Sequence, residues 1–308
     1  MTTTDERSFT TPDGTSLALY WQGERDAPVT IVLVHGWVLD SRTWNPVADA
    51  LSSGPRARPV LRYDLRGHGQ SDPAQPATET IAQAADDLAD LLCTEVKGPV
   101  VLAGHSMGGM AVMALAQRHP ELVAQRVARS GVHRDVVRRH GAAQPGPATR
   151  VGPNGGPRGN RAEALGLGVP VVAASRAGHQ MDRVDPAWGA LAAVRCTSAA
   201  SRCHALRDVL GAGSAANLVS FRSTLDEHDQ VAALAAFRQI PVLVLGAMSD
   251  RLTPIRHTGK IAAELPQATL VRYAGAGHLV TLERAEQLAD RIEELVCSVE
   301  SGQRLPAE

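Results

Sequence analysis

Residues 99–109, PVVLAGHSMGG, restrict the possible folds of this chain more than any other stretch. An apolar run at 100–103 meets Gly104-His105-Ser106-Met107-Gly108, and a run rich in Ala, Val and Met follows. This is the G-x-S-x-G pattern in the setting that gives it meaning, a strand before and a helix after. A serine at the tip of so tight a turn takes a strained backbone conformation. Gly104, Gly108 and Gly109 are expected to remove Cβ atoms that would collide where strand and helix nearly touch. The turn also aims the first N–H groups of the helix at whatever Ser106 attacks, a ready site for a developing oxyanion. A strand–turn–helix of this kind requires an α/β architecture. The remainder of the chain must then supply a base, an acid and a second oxyanion donor.

Around that turn, strands and helices alternate. Residues 8–22 read as two strands joined at Asp13-Gly14, a strong hairpin signal. Residues 28–35, PVTIVLVH, have the apolar, β-branched character of a buried parallel strand. Residues 45–51 suit a short helix with Trp44 over its start, and residues 60–63 a third strand. Residues 80–93 place Ile81, Ala84, Ala85, Leu88, Leu91 and Leu92 at helical spacing with acids opposite, an amphipathic helix. The elbow strand comes next, and its helix is stopped by Pro120. Strands alternating with helices imply a mostly parallel, doubly wound sheet with right-handed crossovers.

The pattern then changes. Another buried strand is due near residues 126–132, but QRVARSG offers only isolated apolar residues. Residues 126–161 hold eight arginines against one acid, with many Gly and Pro, and residues 65–187 contain no Phe, Tyr or Trp. Such a stretch buries little apolar area and reads as an irregular insertion. Its composition also fits GC-rich DNA read in a shifted frame. A basic patch for nucleic acid or anionic lipid would need interleaved aromatics or an amphipathic period, and neither is present. Residues 165–221 are weakly helical and alanine-rich, and 225–237 look helical again. Regular alternation returns with a strand at 241–245, a helix at 255–265, a strand at 269–273 and a closing amphipathic helix at 284–297, before a frayed tail from 301. The expected organisation is a core of residues 1–130 and 236–308 with a cap at 131–235.

Composition narrows the function classes. The chain has 308 residues and a formal net charge of −1, which argues against a polyanionic partner. No apolar run approaches the roughly 20 residues that span a bilayer, and the N-terminal stretch lacks the apolar segment of a secretory signal. Cys93, Cys196, Cys203 and Cys297 form no CxxC pair and suit free thiols in a reducing compartment. Cys196, Cys203 and His204 match no zinc spacing, so no metal is expected. A cytoplasmic protein acting on a small molecule, without a cofactor, is the expectation.

Three side chains complete a chemistry. Ser106, Asp250 and His278 follow one another in sequence, each at or just beyond the carboxyl end of an expected strand, where a doubly wound sheet gathers its site. A hydroxyl needs a base, an imidazole titrates in the right range, and the imidazole needs an anion to hold its tautomer. Asp250 could instead cap the helix begun by Thr253-Pro254. Asp226 and Asp229 are competitors without a preceding strand. His35, Asp64 and His68 sit in loops dense with glycine and hydrogen-bonding groups, where packing and buttressing are the expected roles.

The motifs together resemble the α/β-hydrolase fold serine hydrolases: His35-Gly36-Trp37, DLRGHGQSD at 64–72, GHSMGG at 104–109, GAMSDRLTP around Asp250 and GAGHL around His278. The resemblance spans residues 8–125 and 238–298. It implies an α/β-hydrolase fold with an inserted cap, Ser106 as nucleophile, His278 as base and Asp250 as acid. It also implies an oxyanion hole from the backbone N–H groups of Trp37 and Met107, and no cofactor. The weak strand at 126–132 and the aromatic-poor insertion depart from the family's pattern. Hydrolysis of a carboxylic ester with an apolar acyl group is the reaction expected. Perhydrolysis (haloperoxidase-like chemistry), C–C bond cleavage on the same triad, and a non-catalytic binding role are the alternatives. A serine at the nucleophile position argues against dehalogenase and epoxide hydrolase chemistry, which use a carboxylate there.

Overall fold

The computed structural model describes residues 3–127, Phe221, Thr224, Leu225 and residues 228–301. The cap expected at 131–235, with Cys196, Cys203 and His204 in it, lies largely outside the described residues, as do Asp226 and residues 302–308.

The chain opens with a hairpin, β1 (Asp5–Thr10) and β2 (Ser16–Gln22), paired antiparallel from Asp5↔Trp21 to Thr10↔Ser16. Its turn works for the reason the sequence suggests. Gly14 takes φ +88°, and the Asp13 carboxylate accepts from Thr15 N–H at 3.1 Å. Strands β3 (Thr30–Val34), β4 (Val60–Tyr63) and β5 (Val100–Gly104) complete a five-stranded sheet in the order β1-β2-β4-β3-β5. β2 meets β4 antiparallel, whereas β3 lies parallel to both β4 and β5. All five residues of β3 are buried. Alternate residues of a strand face opposite ways, so this requires cover on both faces of the sheet. Helices α1 (Asn45–Leu51) and α2 (Ile81–Glu95) follow β3 and β4, and α3 (Met107–Arg118) leaves the elbow. Pro120 ends that run by opening a short helix of its own, α4 (Pro120–Arg126).

After the described gap come a 3₁₀ helix (Val231–Phe237), β6 (Leu243–Ala247), α5 (Ile255–Glu264), β7 (Thr269–Tyr273), the one-turn α6 (Val280–Glu283) and α7 (Ala285–Ser301). α7 packs on α1, and α2 on α3, so residues from both ends of the chain close one core.

β3 pairs in parallel with β4 and β5, and β6 in parallel with β7, as a mostly parallel sheet requires. Of the strand expected near 126–132 the described residues show the parallel bridge of Val127 to Val100, and residues 128–132 lie outside the described set. One expectation needs correction: the acids of α2 do not all lie on its outer face. Asp87 is 1% exposed and receives two hydrogen bonds, at 2.5 and 2.6 Å, from the fully buried Arg66. A buried charge must be paired, and Arg66 does this with the fork of its guanidinium while also reaching Asp13 at 2.8 Å. The helix begins as expected, with Thr80 Oγ1 accepting from Gln83 N–H at 3.0 Å.

Candidate active site

Close packing of main chain sets the conformation of Ser106. Its φ and ψ are 54° and −118°, a region that L-residues avoid. A Cβ on Gly104 would lie 2.5 Å from Gly108 C and Gly109 N, and one on Gly108 would lie 2.3 Å from Val34 O. Those two glycines let β3, β5 and α3 converge at the serine. Gly109 does not share the role assigned to it from sequence, since a Cβ there would sit 3.4 Å from the nearest atom, an ordinary contact.

Asp250 and His278 are joined directly. The Asp250 carboxylate accepts from His278 Nδ1 at 2.9 Å, Thr253 Oγ1–H at 2.6 Å, and the N–H groups of Leu252 and Thr253 at 2.8 and 2.9 Å. Burial pushes this carboxyl up, but the hydrogen bonds and charge of His278 and the bonds from Thr253 outweigh it and hold the pKa at about 2. Asp250 therefore binds the turn ahead of α5 and the imidazole at once. The residue at the cap position of α5 is Pro254. With Nδ1–H donated to the Asp250 carboxylate as a hydrogen bond, the other nitrogen of His278, Nε2, carries the lone pair. Glu283 braces the same loop by accepting from Gly277 N–H at 3.0 Å.

Ser106, Asp250, Thr253 and His278 line one cavity of about 200 Å³. No Ser106–His278 hydrogen bond is formed among the described residues. A second cavity, of about 370 Å³, also reaches Ser106 and is walled by Met110, Met113, Val231, Leu234 and Phe237. It touches the consecutive residues Val101 and Leu102 of β5 and Leu243 to Leu245 of β6. Val127, which bridges to Val100 of β5, lines it as well, and the residues that follow Val127 lie outside the described set.

The two expected oxyanion donors stand at the ends of converging elements. Met107 is the first residue of α3, and its N–H is among those a helix leaves without an internal partner. Trp37 follows β3 on a loop that presses against the elbow: a Cβ on Gly36 would lie 3.0 Å from His105 Nδ1 and 3.3 Å from His105 O. Neither Trp37 nor Met107 lines either cavity. Next to Trp37, Val38 has φ 57°, a value that a β-branched residue rarely takes.

The remaining candidates occupy supporting positions. His35 is fully buried, with Nδ1 2.8 Å from Gly36 O and Nε2 accepting from Leu65 N–H at 2.9 Å, which fixes a neutral tautomer. Burial pushes its pKa down. His68 packs between His35, against which its ring is tilted, and Phe221, which it meets edge-on, and burial holds its pKa down at about 3. Asp64 accepts from Ser41 N–H, Gln70 N–H and Tyr20 OH, tying its own loop to β2 and to the 3₁₀ turn that starts at Ser41. Asp229 accepts weakly from Val231 N–H at the start of the 3₁₀ helix. No cluster of three metal-ligating side chains exists among the described residues, and no described helix is long and apolar enough to cross a membrane.

A strained serine between converging strands and a buried imidazole–carboxylate pair on the following strands define the α/β hydrolase class of architecture. The chain belongs to the α/β hydrolase fold family, matching it over residues 29–285. It is similar to a pimeloyl-[acyl-carrier protein] methyl ester esterase of Aromatoleum aromaticum, 29% identical over 86% of this chain and 97% of that protein. A non-heme chloroperoxidase of Streptomyces lividans is 30% identical over 88% of this chain and 92% of that protein. Among solved structures, a thermophilic esterase from Thermogutta terrifontis superposes with TM-score 0.66 at 21% identity, covering 97% of this chain and 99% of the other, a likeness of fold.

Proposed function

We propose that this protein hydrolyses a carboxylic ester through an acyl-enzyme on Ser106, with His278 as base and Asp250 as acid. The observation that carries the reading is the 2.9 Å bond from His278 Nδ1 to Asp250 in a cavity shared with Ser106. His278 Nε2 takes the Ser106 proton as Oγ attacks the ester carbonyl. The Asp250 carboxylate stabilises the imidazolium that results. The tetrahedral oxyanion is received by the N–H groups of Met107 and Trp37, with the positive end of α3 behind it. His278 returns the proton to the departing alcohol. Water, activated by the same imidazole, then attacks the acyl-enzyme and frees the acid and Ser106. Every proton is moved by His278, so the cycle calls for no cofactor.

The apolar side chains of Met110, Met113, Leu234 and Phe237 on the Ser106 side support a small-molecule ester with an apolar acyl group. Residues 131–235 would form the cap over it, and the core would comprise 1–130 and 236–308. Cys93 and Cys297 are free, which supports a reducing, cytoplasmic setting. The similarity to a chloroperoxidase favours one second reading, in which hydrogen peroxide replaces water on the acyl-enzyme and releases a peracid. Reaction with a fluorophosphonate probe tests the nucleophile: labelling that disappears in Ser106→Ala supports the proposal, and an unlabelled wild-type protein ends it. Assaying acid against peracid release from one ester then separates the two readings.

A further inference from the structure

We infer that His105 is a positioning residue, whose Nε2–H···O=C bond to His278 fixes the base against the nucleophile. The inference rests on the proposed roles of Ser106 and His278. The backbone of His105 is held on both sides, its N–H donating to Val34 O at 2.9 Å and its C=O accepting from Gly108 N–H at 2.9 Å. The ring thus leaves from a rigid point one residue before Ser106. Its Nε2 lies 2.7 Å from His278 O across 173 residues of sequence. A carbonyl only accepts, so the proton sits on Nε2 and Nδ1 is bare. That Nδ1 is buried with no hydrogen-bond partner among the described residues. An apolar side chain of similar volume would leave no such atom, so what histidine adds here is the ε-donor. The two rings also touch, with centroids 4.9 Å apart.

Other bonds that hold the base loop come from its own half of the molecule, among them Ser249 N–H to Ala276 O at 2.9 Å, Gly277 N–H to Glu283, Arg284 to Ala274 O, and His278 to Asp250. They set the loop against β6 and α6 but not against the elbow. Among the described residues, the His105 bond alone joins the elbow to that loop. Burial and the neighbouring His278 hold the His105 pKa down at about 3, so the ring stays a neutral donor through the working range.

Two variants of the full-length chain differ in reach and little in polarity. In His105→Gln the amide nitrogen stands as many bonds from Cα as Nε2, and in His105→Asn it stands one bond short. Labelling of Ser106 by a fluorophosphonate, with kcat and KM on p-nitrophenyl acetate, reads the placement of the base. The expected result is a Gln variant near the wild-type rate and an Asn variant slower by about 10- to 100-fold, with the loss in kcat and KM unmoved. Equal labelling rates in the two variants, at any level, overturn the positioning role. A loss carried by KM does the same. Absence of labelling in the wild-type protein overturns the nucleophile assignment instead.

Discussion

The half of the molecule that carries Ser106 and the half that carries Asp250 and His278 hold their site residues in different ways. β3 has hydrogen-bonded neighbours on both sides and buries all five residues, and α2, packed on α3, buries eight. β6 pairs with β7, and the base and acid sit on the loops that follow these two strands. In the first half the geometry of Ser106 is imposed by main chain packed to contact at Gly104 and Gly108. In the second, His278 is placed by a few hydrogen bonds, each contributing about 1–3 kcal/mol to stability. Substitutions in the first half should therefore register as lost stability, and those around His278 as lost rate.

The largest effect tests the exception within the first half. Ser106→Ala should lower ester turnover by about 10⁴-fold or more while leaving the thermal midpoint unchanged, since the hydroxyl holds nothing together. Next comes Asp250→Asn, expected to cost about 10³- to 10⁴-fold in kcat because the imidazole loses the anion that fixes its tautomer. A stability loss in that variant as large as its rate loss would blur the contrast between the halves. Gly108→Ala should destabilise by about 3 kcal/mol in urea titration, since its Cβ would meet backbone that cannot move aside.

Acid should act first on the well-packed half. His68 and His105 are buried and neutral, with pKa values near 3, whereas an unfolded imidazole titrates near 6.5. Between those values the unfolded chain holds the extra protons. Stability therefore rises with pH through this window, by about 1.4 kcal/mol per unit for each histidine, and is complete above it. The Asp250 contribution lies lower: it is present above the ordinary carboxyl pKa and lost as pH falls toward about 2. Urea midpoints should drop from pH 7 to pH 5, less steeply in His105→Gln, and a flat profile would contradict the neutral burial of both rings. The smallest effect belongs to Gly109→Ala. With no clash to create and a helix to favour, it should gain a few tenths to about 1 kcal/mol.

The legible parts of the fold were those with a local cause. β4 and β7 fall on the residues their apolar runs mark, α1 starts over Trp44, and most other regular elements shift by only a few residues at their ends, whereas the helix expected over 225–237 gives way to a 3₁₀ helix at Val231–Phe237. The hairpin turn at Asp13-Gly14 follows from residue chemistry alone. What escaped depends on partners distant in sequence. Asp87 sits in a helix whose acids otherwise suit solvent, and its burial follows from Arg66 in a loop 21 residues earlier. Thr253, Glu283 and His105 engage the site through bonds that no spacing reveals. Gly109 looked equivalent to Gly108 because a sequence shows that a Cβ is missing but not which atoms would meet it. Val38 gave no sign of its left-handed backbone, since Val is among the residues least expected there. The strand expected near 126–132 falls outside the described residues beyond Val127, whose parallel bridge to Val100 is what they show of it.

The central claim is that Ser106 in the packed half is activated by a base placed from the other half. The most direct measurement is the rate of fluorophosphonate labelling in wild type, Ser106→Ala and His278→Ala at pH 7. Rapid labelling in wild type, none in Ser106→Ala and a rate reduced by orders of magnitude in folded His278→Ala is the predicted outcome. A His278→Ala protein that labels as fast as wild type would contradict the account.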